Sequence, residues 1–364
     1  MIVAIGIILT LHLLFISLLY VGWRKAFDHS GVATADEKFI SIIVPVRNEE
    51  KHISRILDNL LTQQYAAFEI IIVDDHSEDQ TEAAIAGYNS PLVKCIQNEG
   101  SGKKHALATG ISVASGNIIA TTDADCTVPA AWLRGINNFF SSGGIQMVVG
   151  PVSMQGEGTL FSHMQQIEFA SLIGSAASAV GWNSPVLCNG ANLAFLKETF
   201  VALNGYEGNM HVASGDDEFL MRKIHSNAPG SVTFMTDPEA LVKTMPQKSL
   251  YEFLQQRLRW AGKWRFNSSL LSRFLAVFIF IVQLATIISF YGLFTTGGPR
   301  WLVLIVLKAV IEVFVLKEFC RFSRVRIDWI AFITLFFIYP FYVVYIAIVS
   351  NFHTYEWKGR SYRK

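Results

Sequence analysis

The sequence predicts an α/β domain, a sheet covered by helices on both faces, held between hydrophobic helices that cross a membrane. Three observations predict it. Apolar residues make up 51% of the 364-residue chain and charged residues only 16%, with mean hydropathy +0.36, and the apolar excess is gathered at the two ends. A soluble globular chain carries about 25% charged residues. Between about Lys38 and Pro246, short β-branched runs alternate with helical periodicity. Acidic clusters come directly after the ends of two of those runs.

The N-terminal run Ile2 to Trp23 is almost uninterrupted and is succeeded at once by Arg24 and Lys25. About 20 apolar residues cross a bilayer core. No basic residue precedes the run, which favours an uncleaved anchor over a signal peptide. The basic pair places the chain beyond Arg24 on the cytoplasmic side. Three more apolar runs lie near the other end: Phe274–Phe294, Trp301–Leu316 and Trp329–Ser350. Lys308 and Glu312, four apart in the middle run, share a helical face and are expected to pair. Counting three crossings puts the basic cluster Lys317, Arg321, Arg324, Arg326 inside but the basic tail outside. One run is therefore expected to be re-entrant or interfacial, with Pro340 the candidate break point. The expected divisions are residues 1–24 (anchor), 25–246 (cytoplasmic domain), 247–270 (interfacial helix), 271–352 (membrane region) and 353–364 (basic tail).

In the middle, Phe39–Pro45, Phe68–Val73, Val93–Ile96 and Asn117–Thr121 read as strands. Helical spacing over Glu49–Leu61, Thr81–Gly87 and His105–Ala114 separates them. This alternation implies βαβ units and a parallel sheet, whose ligands collect beyond the carboxyl ends of the strands. A net charge of +1 gives no field for nucleic acid. The four cysteines, Cys95, Cys126, Cys188 and Cys320, lack metal-ligand spacing and suit a reducing compartment.

The strand ends carry the chemistry. Asp74-Asp75-His76-Ser77-Glu78-Asp79 comes after the second strand; Ser77 or Asp79 can cap the next helix, but capping does not account for both leading acids. Thr122-Asp123-Ala124-Asp125 comes after the fourth strand, and carboxylates spaced by one small residue suit a hard cation that also binds phosphate. Asn98-Glu99-Gly100-Ser101-Gly102-Lys103-Lys104 opens a helix, a start that favours phosphate but is not a P-loop. Gly215-Asp216-Asp217-Glu218 places acids at a helix start, where the helix dipole alone would favour them and where a general base could also sit. Gln256, Arg259 and Trp260 fall on one face of a basic helix over Ser249–Arg265 that could lie in a membrane interface.

In order, these segments resemble family 2 glycosyltransferases of the GT-A fold, a Rossmann-like mixed sheet with helices on both faces. The matches are Ile43-Val44-Pro45-Val46-Arg47-Asn48-Glu49-Glu50, Val73 to Thr81, Gly102-Lys103, Asp123-Ala124-Asp125, Gly215-Asp216-Asp217 and Gln256-x-x-Arg259-Trp260, from about Ser41 to Trp260. The span layout and the Gln-x-x-Arg-Trp motif are also similar to ceramide glucosyltransferases and related bacterial lipid glycosyltransferases. Trp357-Lys358-Gly359-Arg360 is similar to a Trp-Arg-Gly-Arg-like tail in some of them.

The resemblance implies a nucleotide-sugar donor, a UDP-sugar first, a magnesium or manganese ion, and a lipid or lipid-linked acceptor at the cell inner membrane. Asp74 or Asp75 would hold the base, helped by Pro45, Val46, Asn48 and Glu49. Lys103 would lie near the nucleotide. Asp123 would contact the ribose or metal, and Asp125 would ligate the metal. Asp217 would be the general base of an inverting displacement, with Asp216 where Glu is commoner. Gln256, Arg259 and Trp260 would frame the acceptor and diphosphate, and Asn189–Asn192 would line the same site. A polyprenyl-phosphate sugar synthase or a processive polysaccharide synthase uses the same fold, but few spans are present to build a polymer channel. A sugar nucleotidyltransferase would need a glycine-rich loop where Pro45–Asn48 stands. An inactive membrane subunit would be expected to have lost Asp125 or Asp217.

Overall fold

A computed structural model describes residues 2–29, 31–34, 36–156, 158–210, 212, 214–263, 269–296, 298–352, 355–357 and 360–362. The chain forms two compact units, one of Trp23–Gln155 and Ser175–Met245, the other of Met1–Gly22, Gly156–Gly174 and Pro246–Lys364. The stretch Gly156–Gly174 lies inside the expected domain 25–246 yet groups with the hydrophobic helices.

The chain begins with α1 (Ile2–Ala26), which ends on Arg24 and Lys25. The first unit then builds β1 (Ile40–Val46), α2 (Ile53–Leu61), β2 (Phe68–Asp74), α3 (Thr81–Ala86), β3 (Val93–Gln97), α4 (Lys103–Val113), β4 (Ile118–Thr121), α5 (Trp132–Phe140), β5 (Met147–Val149) and β6 (Val152–Met154). After α6 (Leu160–Gly181), which contributes residues to both units, come β7 (Leu193–Leu196), α7 (Lys197–Ala202), α8 (Asp216–Asn227), β8 (Val232–Phe234) and β9 (Val242–Thr244).

Seven strands form one sheet in the order β3-β2-β1-β4-β7-β5-β8. Only β7 runs against its neighbours, so the sheet is mixed, as the family resemblance implied, and not wholly parallel, as strand alternation alone implied. β6 and β9 make a separate parallel pair. Strands β1, β2 and β4 are buried almost throughout, as continuous apolar runs between two helical layers must be. Pro45 does not end β1, which continues to Val46. The N–H of Ile40 and the C=O of Val46 both bond on the β2 side, so alternation turns Pro45 toward β4, whose pairing stops at Ile43. No ladder bond is lost there.

The second unit holds α9 (Leu250–Gly262), α10 (Leu270–Thr296), α11 (Pro299–Phe322) and α12 (Trp329–Val349). α9 starts with a capping box, Ser249 and Glu252 bonding each other's backbone N–H. The part of this helix expected to reach Arg265 lies outside the described residues. Among the described residues three helices, α1, α10 and α12, are long and apolar enough to cross a membrane, and the chain is a membrane protein. α11 is not among them. Its Lys308 Nζ lies 2.8 Å from Glu312 Oε1, the expected pair, and His12 Nε2 of α1 lies 2.7 Å from the same oxygen. Pro340 does not break α12, which continues through it; a proline is tolerated where neighbouring helices supply partners for the freed backbone groups. In the tail, Tyr355–Trp357 and Arg360–Tyr362 pair antiparallel, while Lys358 and Gly359 lie outside the described residues.

Candidate active site

The carboxyl ends of β1, β2 and β4 meet at one edge of the sheet, and the first two loops there are stitched to each other. Val46 pairs with Asp74, the last residue of β2. Arg47, buried, donates Nη1 to the carbonyls of Asp75 (2.7 Å) and His76 (2.6 Å) and Nη2 to Glu78. Asn48, at φ 53°, accepts the Glu78 N–H at 2.8 Å. The Glu49 N–H donates to Thr81 Oγ1 at 2.8 Å, and Asp79 accepts both the N–H and the hydroxyl of Thr81. The N-cap of α3 is Gln80, with no side-chain cap bond, so neither Ser77 nor Asp79 caps that helix as the sequence suggested; Asp79 instead braces Thr81 from just before the cap. The segment Pro45–Glu49 is thus rigid, and Arg47 is a structural clamp the motif alone did not single out.

Asp74 and Asp75 are both buried and already serve the chain. Asp74 accepts the hydroxyl and N–H of Ser77. Asp75 accepts from Asn98 Nδ2 at 2.7 Å and from the Gly102 N–H at 3.0 Å. Gly102 sits at φ 91°, open to glycine and strained for other residues, and this turn starts α4.

Lys103, the first residue of α4, crosses to the next strand end. Its Nζ donates to Asp123 Oδ1 at 2.7 Å and lies 3.9 Å from Asp216 Oδ2. Burial opposes its charge, but Asp123 and Asp216 more than offset this and hold the ammonium above its ordinary range. Asp125, beyond Ala124, is partly exposed, and its backbone carbonyl accepts from Arg55 at 2.9 Å. Burial pushes the Asp216 carboxyl up, against the pull of Lys103 and with Asp217 and Asp123 adding to the rise.

Asp216 and Asp217 open α8 after Gly215, whose φ of 82° makes the sharp entry. Asp216 is buried and Asp217 partly exposed. Asp217 accepts N–H bonds at each oxygen, from Gly190 (3.0 Å) and from Glu218 (2.7 Å). A side chain at Gly190 would come within 3.3 Å of Asp216 Oδ2 and 3.4 Å of Lys103 Nζ, so glycine is what lets this turn reach the acids. The stretch Asn189–Asn192 divides accordingly. Gly190 lines the cluster, whereas Asn192 is buried structure, accepting from Trp132 Nε1 and donating to the carbonyls of Pro151 and Ala240.

The structure therefore gathers Lys103, Asp123, Asp216, Asp217 and Gly190 in one cluster, beside the loops that carry Asp74 and Asp75. Gln256, Arg259 and Trp260 lie on α9 of the other unit. There the buried Arg257, which the motif skips, bonds Gln256 Oε1, pairs with Glu168 and lies 4.3 Å from the Trp260 ring centre.

The donor set suits a hard divalent cation. Carboxylates such as those of Asp123 and Asp125 are donors such an ion accepts, and among the described residues no group of three or more His, Cys, Asp or Glu is placed to hold a metal. Magnesium and manganese sites of this kind take one or two carboxylates and leave the remaining positions to water and substrate phosphates.

Residues 41–201 match the family described as Glycosyl transferase family 2. Glycosyltransferase AglE of Haloferax volcanii is 28% identical over 271 residues, covering 71% of this chain and 83% of that protein. A 4,4'-diaponeurosporenoate glycosyltransferase of Staphylococcus aureus is 30% identical over 130 residues, 35% of this chain and 32% of that protein. Among solved structures, a mannosyltransferase from Pyrobaculum calidifontis in complex with GDP-Man and Mn2+ shares the fold over 97% of this chain and 99% of its own, with TM-score 0.62 and 19% identity.

Proposed function

Because this chain is a family 2 glycosyltransferase, a membrane protein of the GT-A fold, we propose that it moves a sugar from a nucleoside-diphosphate sugar to a lipid or lipid-linked acceptor by one inverting displacement. A UDP-sugar is the first donor to test. The observation that carries this reading is Asp217, partly exposed and fixed by two backbone N–H groups, in one cluster with Lys103 and Asp123 at the strand ends.

Asp217 takes the proton of the acceptor hydroxyl as that oxygen attacks the anomeric carbon and the bond to the diphosphate breaks. Asp216, buried behind it, keeps Lys103 in place. Asp123 and Asp125 would hold a divalent ion, which would supply positive charge toward the diphosphate leaving group. Pro45, Val46, Asn48 and Glu49, with Asp74 and Asp75, form the rigid seat for the base. For Gln256, Arg259 and Trp260, a part in framing the acceptor and diphosphate rests on their motif. The lipid acceptor is supported by the three spanning helices and by a relative named as a 4,4'-diaponeurosporenoate glycosyltransferase. Arg24 and Lys25 at the end of α1 support a cytoplasmic catalytic domain at the cell inner membrane.

The test uses detergent-purified protein with UDP- and GDP-sugars, manganese or magnesium, and a total lipid extract. The reading expects one donor to yield a lipid-soluble product with inverted anomeric configuration. Asp217→Asn should lower kcat by about 10²–10⁴-fold while donor binding persists. Full transfer by that variant would remove the base assignment.

A further inference from the structure

Lys103 and the divalent ion have claims on the same carboxylate. The Lys103 ammonium donates to Asp123 Oδ1 at 2.7 Å, and Asp123 is one of the two residues assigned to the metal. We propose that Lys103 acts as a resident cation that holds the metal seat closed until the donor arrives, so that the divalent ion enters with the diphosphate and not before it. This rests on the reading of Asp123 and Asp125 as the metal ligands.

Three features support the assignment. The position of Lys103 is built: Gly102 turns the chain at φ 91°, its N–H is fastened by Asp75, and Lys103 is the next residue. The ammonium also faces Asp216 at 3.9 Å, so it answers carboxylates on two separate elements. The Gly190 turn approaches the lysine on another side, since a Cβ added there would lie 3.4 Å from Nζ. With Lys103 on Asp123, a dication on the same carboxylate would stand within a few ångströms of a like charge, in a partly buried place where water screens poorly. A donor diphosphate changes the balance. Its negative oxygens would give Lys103 a further anionic partner and give the metal the ligands that two carboxylates do not provide.

The consequence is a coupling between metal and nucleotide, and such a coupling is reciprocal. It is read by Mn2+ binding to the detergent-solubilised full chain, monitored by electron paramagnetic resonance of free Mn2+, with and without UDP or GDP. Wild-type protein should bind Mn2+ weakly alone and at least tenfold more tightly with one of the two nucleotides. Lys103→Gln should tighten nucleotide-free Mn2+ binding about tenfold and shrink the enhancement by nucleotide. Lys103→Arg, which keeps the charge, should stay near wild type. A merely structural lysine would give the opposite sign, since a damaged site binds metal less well.

Unchanged or weaker nucleotide-free Mn2+ binding in Lys103→Gln, with thermal unfolding intact, overturns the proposal. So does wild-type protein that binds Mn2+ equally well with and without nucleotide, a result that needs no variant to fold. Asp125→Ala separates the two readings. If Mn2+ binding with nucleotide survives that substitution, the metal assignment itself falls; if it is lost while Lys103→Gln shows no gain, only the role of Lys103 falls.

Discussion

Asp75 and Gly102 are joined directly, the Gly102 N–H lying 3.0 Å from each oxygen of the Asp75 carboxylate. A residue that a motif places among the nucleotide contacts is therefore also the post to which the glycine-rich turn is tied. Asn98, at 2.7 Å from the same side chain, completes the tie.

Asp75→Ala should accordingly act on two levels. Leaving buried donors without an acceptor costs about 1–3 kcal/mol, so thermal unfolding should fall by several degrees. Because the turn carries Lys103, the KM for donor should rise more than kcat falls. Denaturant unfolding together with donor kinetics checks both, and a variant with altered donor KM and unchanged stability would disprove the tie.

Asp216 makes stability depend on pH. Burial raises its carboxyl above the ordinary 3.8, with Lys103 opposing and Asp217 and Asp123 adding. A raised carboxyl favours the folded state while protonated, and that contribution is lost as pH climbs from the ordinary value through the raised one. Asp216→Asn stays neutral throughout. Its melting temperature relative to wild type should improve as pH climbs above the ordinary carboxyl value of 3.8. A difference that is flat, or that falls, would show that the Lys103 attraction outweighs burial.

Glu168 and Arg257, both buried, pair through two contacts, and Tyr342 donates to the same carboxylate at 3.2 Å. Deleting one member of a buried pair costs about 3–5 kcal/mol, whereas replacing both with apolar residues is often near neutral. Arg257→Ala should lower the unfolding temperature sharply, and Glu168→Leu with Arg257→Met should recover much of the loss. A double replacement as damaging as the single one would mean that the pair, and not the orphaned charge, carries the stability.

Among the four free cysteines Cys95 is the exposed residue, with its sulfur partly covered by the surrounding chain. Burial of its sulfur, with Asp74 and Glu82 nearby, pushes it from the ordinary 9.0 to about 11. At a given pH that leaves roughly 100-fold less thiolate, the reactive form. Iodoacetamide at about pH 8 should thus modify Cys95 in the native protein far more slowly than in the unfolded chain. Mass spectrometry by residue reads this, and equal rates would contradict it.

Much of the site was legible in the sequence because its determinants are local. β-branched runs such as Ile40–Val44 and Ile70–Val73 declare strands, and acids placed directly after them, at Asp74, Asp123 and Asp125, fall where α/β sheets gather ligands. Apolar length declares α1, α10 and α12. Lys308 and Glu312 could be paired on paper because four residues make one helical turn.

What the tertiary structure decided lies in contacts between residues far apart in the chain. No local pattern tells that His12 joins Glu312, that Glu168 meets Arg257, or that Asp75 reaches Gly102. Nor does it tell that Lys103 lies on Asp123, or that Asp216 faces inward while Asp217 stays accessible. The reversal of β7 and the passage of α12 through Pro340 were decided in the same way. Periodicity and composition report which face of a segment is apolar; which partner that face or charge meets depends on the packing of the whole chain, where burial gives each pairing its weight.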